Sequence, residues 1–174
     1  MPDPAVQPHE LRQFVKKLAL PAGFAAPAKL SAGDLVATAL SRADLDDDVQ
    51  GINSSVALIQ RMRGGGWPTG EISEDYNFVD LVWHEQEFRE GTSFSYVVRN
   101  AAGDYLGCCY LYPMGQRTEL KKDLLAHDVD VSWWVTGTAY EAGYYEKLYA
   151  ALRGWVTTEF PFTNPYYSNT EIPG

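Results

Sequence analysis

The stretch Val129-Asp-Val-Ser-Trp-Trp-Val135, continuing as Thr136-Gly-Thr-Ala-Tyr-Glu-Ala-Gly-Tyr-Tyr145, decides the fold. Its first half alternates with the period of a strand, Val129, Val131, Trp133 and Val135 on one side and Asp130, Ser132 and Trp134 on the other. Tryptophans on opposite sides imply that both are covered, one by a helix and the other by a partner or ligand. Downstream, Tyr145, Leu148, Tyr149, Leu152, Trp155 and Val156 form a helical stripe that ends before Pro161, and residues 162–168 read as extended. A strand, a helix and a second strand in this order make a crossover connection.

Upstream, Phe94, Tyr96 and Val98 alternate within Ser93–Arg99, and Tyr105–Tyr112 returns across the turn-forming Asn100-Ala-Ala-Gly-Asp104. Before this hairpin the spacing is helical. Asp44, Asp46, Asp47 and Asp48 crowd a first turn, where negative charge complements the helix dipole. Leu45, Val49, Ile52, Val56 and Ile59 follow as one stripe, and Gly64-Gly65-Gly66 ends it after Arg61 and Arg63. After Trp67-Pro68, Ser73 caps a helix to about Arg89 that carries two apolar faces, Phe78, Leu81, Val82 and Phe88 on one and Tyr76, Val79 and Trp83 on the other. Both faces are expected to be covered. Leu35–Leu40 reads as a short strand, and the polar stretch Gly115–Asp128 as a loop or short helix. Residues 1–33 read as an N-terminal appendage with an amphipathic helix over His9–Leu18 that sets Leu11, Phe14, Val15 and Leu18 on one face, and residues 34–174 as a single domain. The fold class is α+β: a mixed, mostly antiparallel sheet of about five strands flanked by helices.

Composition narrows the function. The chain has 174 residues and a formal net charge of −9, with 23 acidic against 14 basic residues, which excludes a nucleic-acid binder that needs clustered cations. No apolar run reaches the roughly 20 residues of a membrane span, and the N-terminus lacks the pattern of a signal peptide, so a cytoplasmic protein is expected. The adjacent Cys108 and Cys109 offer no disulfide framework and read as small core residues. His84-Glu-Gln-Glu-Phe88 starts like a zinc motif but has Phe88 where the second histidine belongs, so no metal site is expected.

The order of elements, carried by Ser93–Arg99, Tyr105-Leu-Gly-Cys-Cys-Tyr-Leu-Tyr112, Asp130–Val135 and the helix through Trp155, resembles the GNAT superfamily of acyl-CoA-dependent N-acyltransferases. More narrowly, Asp48–Ser55, Trp67-Pro68, Asp80–His84, Glu87-Phe88 and the run Gly107–Pro113 are similar to a group of short bacterial GNAT-like proteins. The resemblance covers roughly residues 34–169. It implies acetyl-CoA as cofactor, lying where the fourth and fifth strands splay, with its pantetheine on the backbone of Trp133–Val135 and a small amine as acceptor. It also implies a sheet that lacks the family's last strands, leaving an edge open to a second subunit in a homodimer.

The family's pyrophosphate motif, [Q/R]-x-x-G-x-[G/A], falls on Tyr140-Glu-Ala-Gly-Tyr-Tyr145, where Gly143 alone agrees. Tyr140, Ala142, Gly143, Tyr144 and Tyr145 are the cofactor-loop candidates on this alignment. Glu141 sets an anion where a phosphate would sit, and Thr138-Ala-Tyr-Glu141 equally fits a capping box that needs no cofactor. Asp130 aligns with a strand position at which a carboxylate serves as general base, and Ser132 is placed to hydrogen-bond an acyl carbonyl. Trp83, His84 and Glu87 border the acceptor side. Two functions fit these residues: a divergent N-acyltransferase, and a non-catalytic binding module that takes a partner or small ligand in an aromatic cleft.

Overall fold

A computed structural model describes residue 11 and residues 13–174. One sheet of six strands organises the chain: β1 (Lys29–Ala32), β2 (Leu35–Ala39), β3 (Phe94–Asn100), β4 (Tyr105–Tyr112), β5 (Val129–Val135) and β6 (Pro165–Tyr167), hydrogen-bonded in that order. The first five form an antiparallel meander, and β6 lies parallel to β5. The strand beyond the five expected is β1, which lies in the stretch read as an appendage and turns into β2 through Gly33 at φ 57°. Its one buried residue, Leu30, left no alternation to read.

Helices α1 (Leu45–Asn53), α2 (Val56–Arg63) and α3 (Glu74–Glu90) pack on one face of the sheet, and the short α4 (Gly137–Glu141) and long α5 (Tyr144–Thr158) follow β5. The single helix expected after Asp44 is two. Ser54 donates from its hydroxyl to Gly51 O at 3.0 Å, and Ser55, at φ −138°, accepts from the Gly137 amide at 3.0 Å. Hydroxyls that compete for backbone partners break the helix there and tie the break to the turn after β5. The Ser73 hydroxyl caps α3 through the Tyr76 amide at 3.1 Å, and Gly91 ends it in the left-handed region at φ 71°.

Of the helix expected over His9–Leu18, the described residues keep only a 3-10 turn at Leu11 and Gln13. From Phe14 onward the chain is not helical: Lys16 forms an isolated bridge with Met114, and its ammonium donates to the carbonyls of Leu125 and His127 at 3.1 and 2.8 Å. Phe14 packs on a small second cluster of Met114, Leu120 and Leu124, while Val15 is exposed. Pro8 and His9 lie outside the described residues.

Every residue of β5 is buried. The Trp133 ring stacks on Tyr145 and Tyr149 of α5 at 5.2 and 5.0 Å between centroids. On the opposite face, the Trp134 indole donates to Tyr110 Oη at 2.8 Å. Helices therefore cover both sides of the strand, and no partner or ligand is needed to bury Trp134. Truncating either indole to alanine is expected to cost about 3–5 kcal/mol. Gly107 lies against this strand so closely that a Cβ would sit 2.0 Å from the Trp134 carbonyl oxygen, so only glycine fits. The second apolar face of α3 is not covered: Tyr76, Val79 and Trp83 are each more than half exposed.

Candidate functional site

The stripe of α2 buries Ile59 and Met62 completely, and its next beat lands on Arg63, whose side chain is drawn under the helix rather than into solvent. Arg63 is 5% exposed. Its guanidinium lies 4.2 Å from the centroid of Tyr110, and its Nε donates to Ser132 Oγ at 3.1 Å. A planar, weakly hydrated guanidinium suits this stacked position better than an ammonium would. Tyr110 and Tyr112 reach the same face because β4 pairs them opposite Ser132 and Asp130.

Arg117, from the loop after β4, enters from the other side. It donates to Ser168 Oγ at 3.3 Å, to Gly64 O at 3.3 Å and to Arg63 O. Burial, and then the neighbouring Arg63 charge, push Arg117 down to about 10. These side chains line a cleft of about 300 Å³ together with Trp67, Asp80, His84 and Tyr112.

Beneath the two arginines lies Asp130, fully buried rather than on a solvated strand face, because α2 and the Arg117 loop cover that side. Its Oδ1 accepts from the Ser168 hydroxyl at 2.5 Å, while Oδ2 has no partner in hydrogen-bond geometry. Burial raises its carboxyl above the usual range, opposed by the Ser168 and Thr118 hydroxyls and then by Arg117 and Arg63. Ser132 is also buried; it accepts from Arg63 and keeps its own O–H to donate.

Of the residues expected on the acceptor side, only His84 lines the cleft. Its Nε2 lies 3.2 Å from Asp80 Oδ2 and its Nδ1 2.9 Å from Ser95 Oγ. The Glu87 carboxylate instead accepts from the Ser93 hydroxyl, and Trp83 is 59% exposed on the outer face of α3. Cys108 and Cys109 are buried, and burial lifts both thiols well above their ordinary value, which removes them as nucleophiles.

β5 and β6 stop pairing where the resemblance implies a cofactor gap. Pairing between β5 and β6 ends at Val131–Tyr167, and the Ser168 amide makes a last bond to Val131 O at 2.9 Å. Beyond it, the Asn169 carboxamide accepts from the Trp133 amide at 3.1 Å and donates to the Trp133 carbonyl at 2.8 Å and to Tyr145 Oη at 2.8 Å. The chain then runs past the start of α5. Tyr140 donates to Glu171 Oε1 at 2.8 Å, Tyr145 donates to the Glu171 carbonyl, and the Glu171 amide bonds Met62 O.

The capping box expected at Thr138–Glu141 is replaced by Thr136, whose hydroxyl accepts from the Ala139 amide at 3.3 Å and starts α4. The helix breaks again at Gly143, at φ 84°, and α5 begins there without a side-chain cap. A Cβ on Gly143 would meet nothing within 4 Å. Glu141 and Ala142 are exposed, and Tyr144 turns away to donate to Asp34 at 2.5 Å.

For coenzyme A the two ends of this region differ. At one end, α5 begins without a side-chain cap and a Cβ on Gly143 would meet nothing, so an uncapped helix start of the kind that can hold a pyrophosphate is available. At the other end, the Trp133 backbone is already paired, and pantetheine would have to displace Asn169 to reach it.

Arg63, Arg117 and Asn169 are absent from the sequence-derived site. The signal for Arg63 was its place on the buried stripe of α2. Nothing local marks Arg117 or Asn169.

No protein-family model matches the sequence, and no curated protein matches it. Solved structures do share the fold. A ribosomal L7/L12 alpha-N-protein acetyltransferase in complex with coenzyme A superposes with a TM-score of 0.55 at 12% identity, over 78% of this chain and 70% of that one. A ribosomal-protein-S5-alanine acetyltransferase from Vibrio fischeri gives 0.55 at 7% identity, over 75% and 67%. A microcin C7 self-immunity acetyltransferase in complex with acetyl-CoA and AMP gives 0.56 at 8% identity, over 77% and 70%. At these identities the likeness is one of fold.

Proposed function

We propose that this chain, which has the fold of the GNAT acetyltransferases, is an acyl-CoA-dependent N-acyltransferase that modifies a small amine. The observation that supports this reading is a meeting of two spaces. The two cleft arginines bond Ser132 and Ser168 behind the cleft, and at these residues the pairing of β5 with β6 ends. An acceptor in the cleft and a donor in the gap would face each other across β5. Bound acyl-CoA supplies an activated thioester carbonyl. As the amine's C–N bond forms, the thioester C–S bond would break and coenzyme A leave as its thiolate, while the Asp130 carboxylate, with one oxygen uncommitted, would take the proton the amine loses. Ser132 O–H donates to developing negative charge nearby, and Arg63 holds the hydroxyl in place.

Calorimetric titration of the full chain with coenzyme A and acetyl-CoA tests this reading. Binding is expected, and Gly143→Asp is expected to abolish it by placing a carboxylate at the α5 amides. Gly143→Ala shares the backbone strain at φ 84° without the charge and separates the two effects. Absence of heat at millimolar cofactor would overturn the reading.

One observation favours a second reading, a non-catalytic module that binds a ligand in the cleft alone: Asn169 already satisfies the Trp133 backbone. If neither the wild-type chain nor Asn169→Ala binds coenzyme A, the second reading stands in place of the first.

A further inference from the structure

The formal charge of the chain is −9, yet the cleft gathers two guanidinium groups. Arg63 is almost wholly buried. Among the described residues it has one hydrogen bond, from Nε to Ser132, and no carboxylate lies within salt-bridge distance of it. Its two terminal nitrogens are left for whatever enters the cleft. Burying an unpaired cation is costly, and stacking on Tyr110 offsets only part of that cost. Arg117 directs its donors at neutral acceptors, three backbone carbonyls and a serine hydroxyl. Asp130, the acid beneath them, touches neither guanidinium through a hydrogen bond and is pushed toward its neutral form by burial.

Across the cleft the chemistry reverses. Asp80 on α3 lines it with a 38% exposed carboxylate whose Oδ2 is 3.2 Å from His84 Nε2. Ser95 beside Nδ1 suits the tautomer in which Nε2–H donates to Asp80, which leaves the carboxylate its charge. A volume of about 300 Å³ matches one small metabolite and is at the low end for ligand pockets.

We infer that the cleft binds a zwitterion of the α-amino-acid class, its carboxylate forked by Arg63 beside Arg117 and its ammonium directed to Asp80. Planar bidentate pairing is the interaction for which a guanidinium is better suited than a lysine. The inference goes beyond the acyltransferase reading and does not rest on it: an ammonium held at Asp80 lies across the cleft from Asp130, and binding itself requires no cofactor.

The test is calorimetry and thermal-shift measurement on the full chain without coenzyme A. The probes are L-phenylalanine, L-leucine and L-glutamate, each compared with its decarboxylated amine and its deaminated acid. At least one amino acid is expected to bind, and both of its truncated analogues at least about tenfold more weakly, because each leaves a charged group unpaired. Arg63→Lys, which keeps the charge and loses the fork, is expected to weaken the amino acid by about tenfold. Should that buried substitution unfold the chain, Asp80→Asn, at a partly exposed position, still tests the other arm, with a loss of about fivefold for the amino acid and none for the deaminated acid. No binding by any of the three amino acids, or equal binding by the decarboxylated amine, would overturn the inference. A chain that binds the amino acid but not coenzyme A would refute the acyltransferase reading and leave this one standing.

Discussion

Asp48 and Asp130 are both buried on the helix-covered side of the sheet, and burial raises both carboxyls above the ordinary value of 3.8. Their surroundings differ. Asp48 is closed: Oδ1 accepts from Tyr105 at 2.6 Å and from the Cys108 thiol at 3.4 Å, and Oδ2 accepts from Asn77 at 2.8 Å. All its donors are neutral, and the cluster joins α1, α3 and β4. Asp130 is open, with one oxygen on Ser168, the other unpaired, and two arginines close by that bond elsewhere. Both Asp48 oxygens are paired within a cluster that specifies packing, although the Asn77 carbonyl oxygen in it is not; an unpaired carboxylate oxygen beside two cations marks a place where something else can bind.

The comparison can be broken by substitution. Asp48→Ala leaves the Tyr105 and Asn77 donors buried and unpaired and is expected to lower unfolding free energy by about 3 kcal/mol in urea titration. Asp130→Asn keeps an acceptor for Ser168 and should change stability by less than about 1 kcal/mol. In the acyltransferase reading it lowers turnover by about a hundredfold. Equal destabilisation by the two variants would erase the distinction between a structural and a functional carboxylate.

Acidity sharpens it further. A carboxyl raised on folding binds its proton more tightly in the native state, so its stabilising contribution is complete below 3.8 and is lost as pH climbs through the raised native value. The urea midpoint of the wild-type chain, measured upward from pH 4, should therefore carry a falling component that is smaller in Asp130→Asn. An unchanged pH profile in the variant would show that Asp130 is ionised equally in both states.

The smallest effect is expected at the half-buried Asp44 and the exposed Asp47 of the same run. Arg99 pairs with Asp44 at 3.2 Å and Asp47 at 2.9 Å, and Arg99→Ala should cost about 0.5 kcal/mol, fading in high salt. A loss as large as that of Asp48→Ala would mean that these pairs, too, hold the core together.

Asp44 to Asp48 also shows how far a sequence can be read. The acids are alike in type, and their place in the run suits all of them to the helix dipole. Asp48 stands one turn before Ile52, on the buried stripe, and that phase was the available clue. Likewise Arg63 continues the spacing that buries Ile59. Tyr76, Val79 and Trp83 carry the opposite lesson, since an apolar face predicts burial and nothing among the described residues covers it. The split of α1 from α2 was missed because the apolar stripe runs straight through Ser54 and Ser55, whose hydroxyls find their partners only locally and across the fold.

What the sequence determined by itself was periodic: the alternation of β3 to β5, the stripe of α5, the Ser73 cap and the glycine stops, each set by neighbours within one or two turns. Tertiary structure alone decided that Arg63, Arg117, Asp130 and Ser168 meet under one cleft, and that Asn169 reaches the Trp133 backbone. Periodicity is a property of adjacent residues, whereas the solvation and charge of a site depend on which distant segments exclude water from one another.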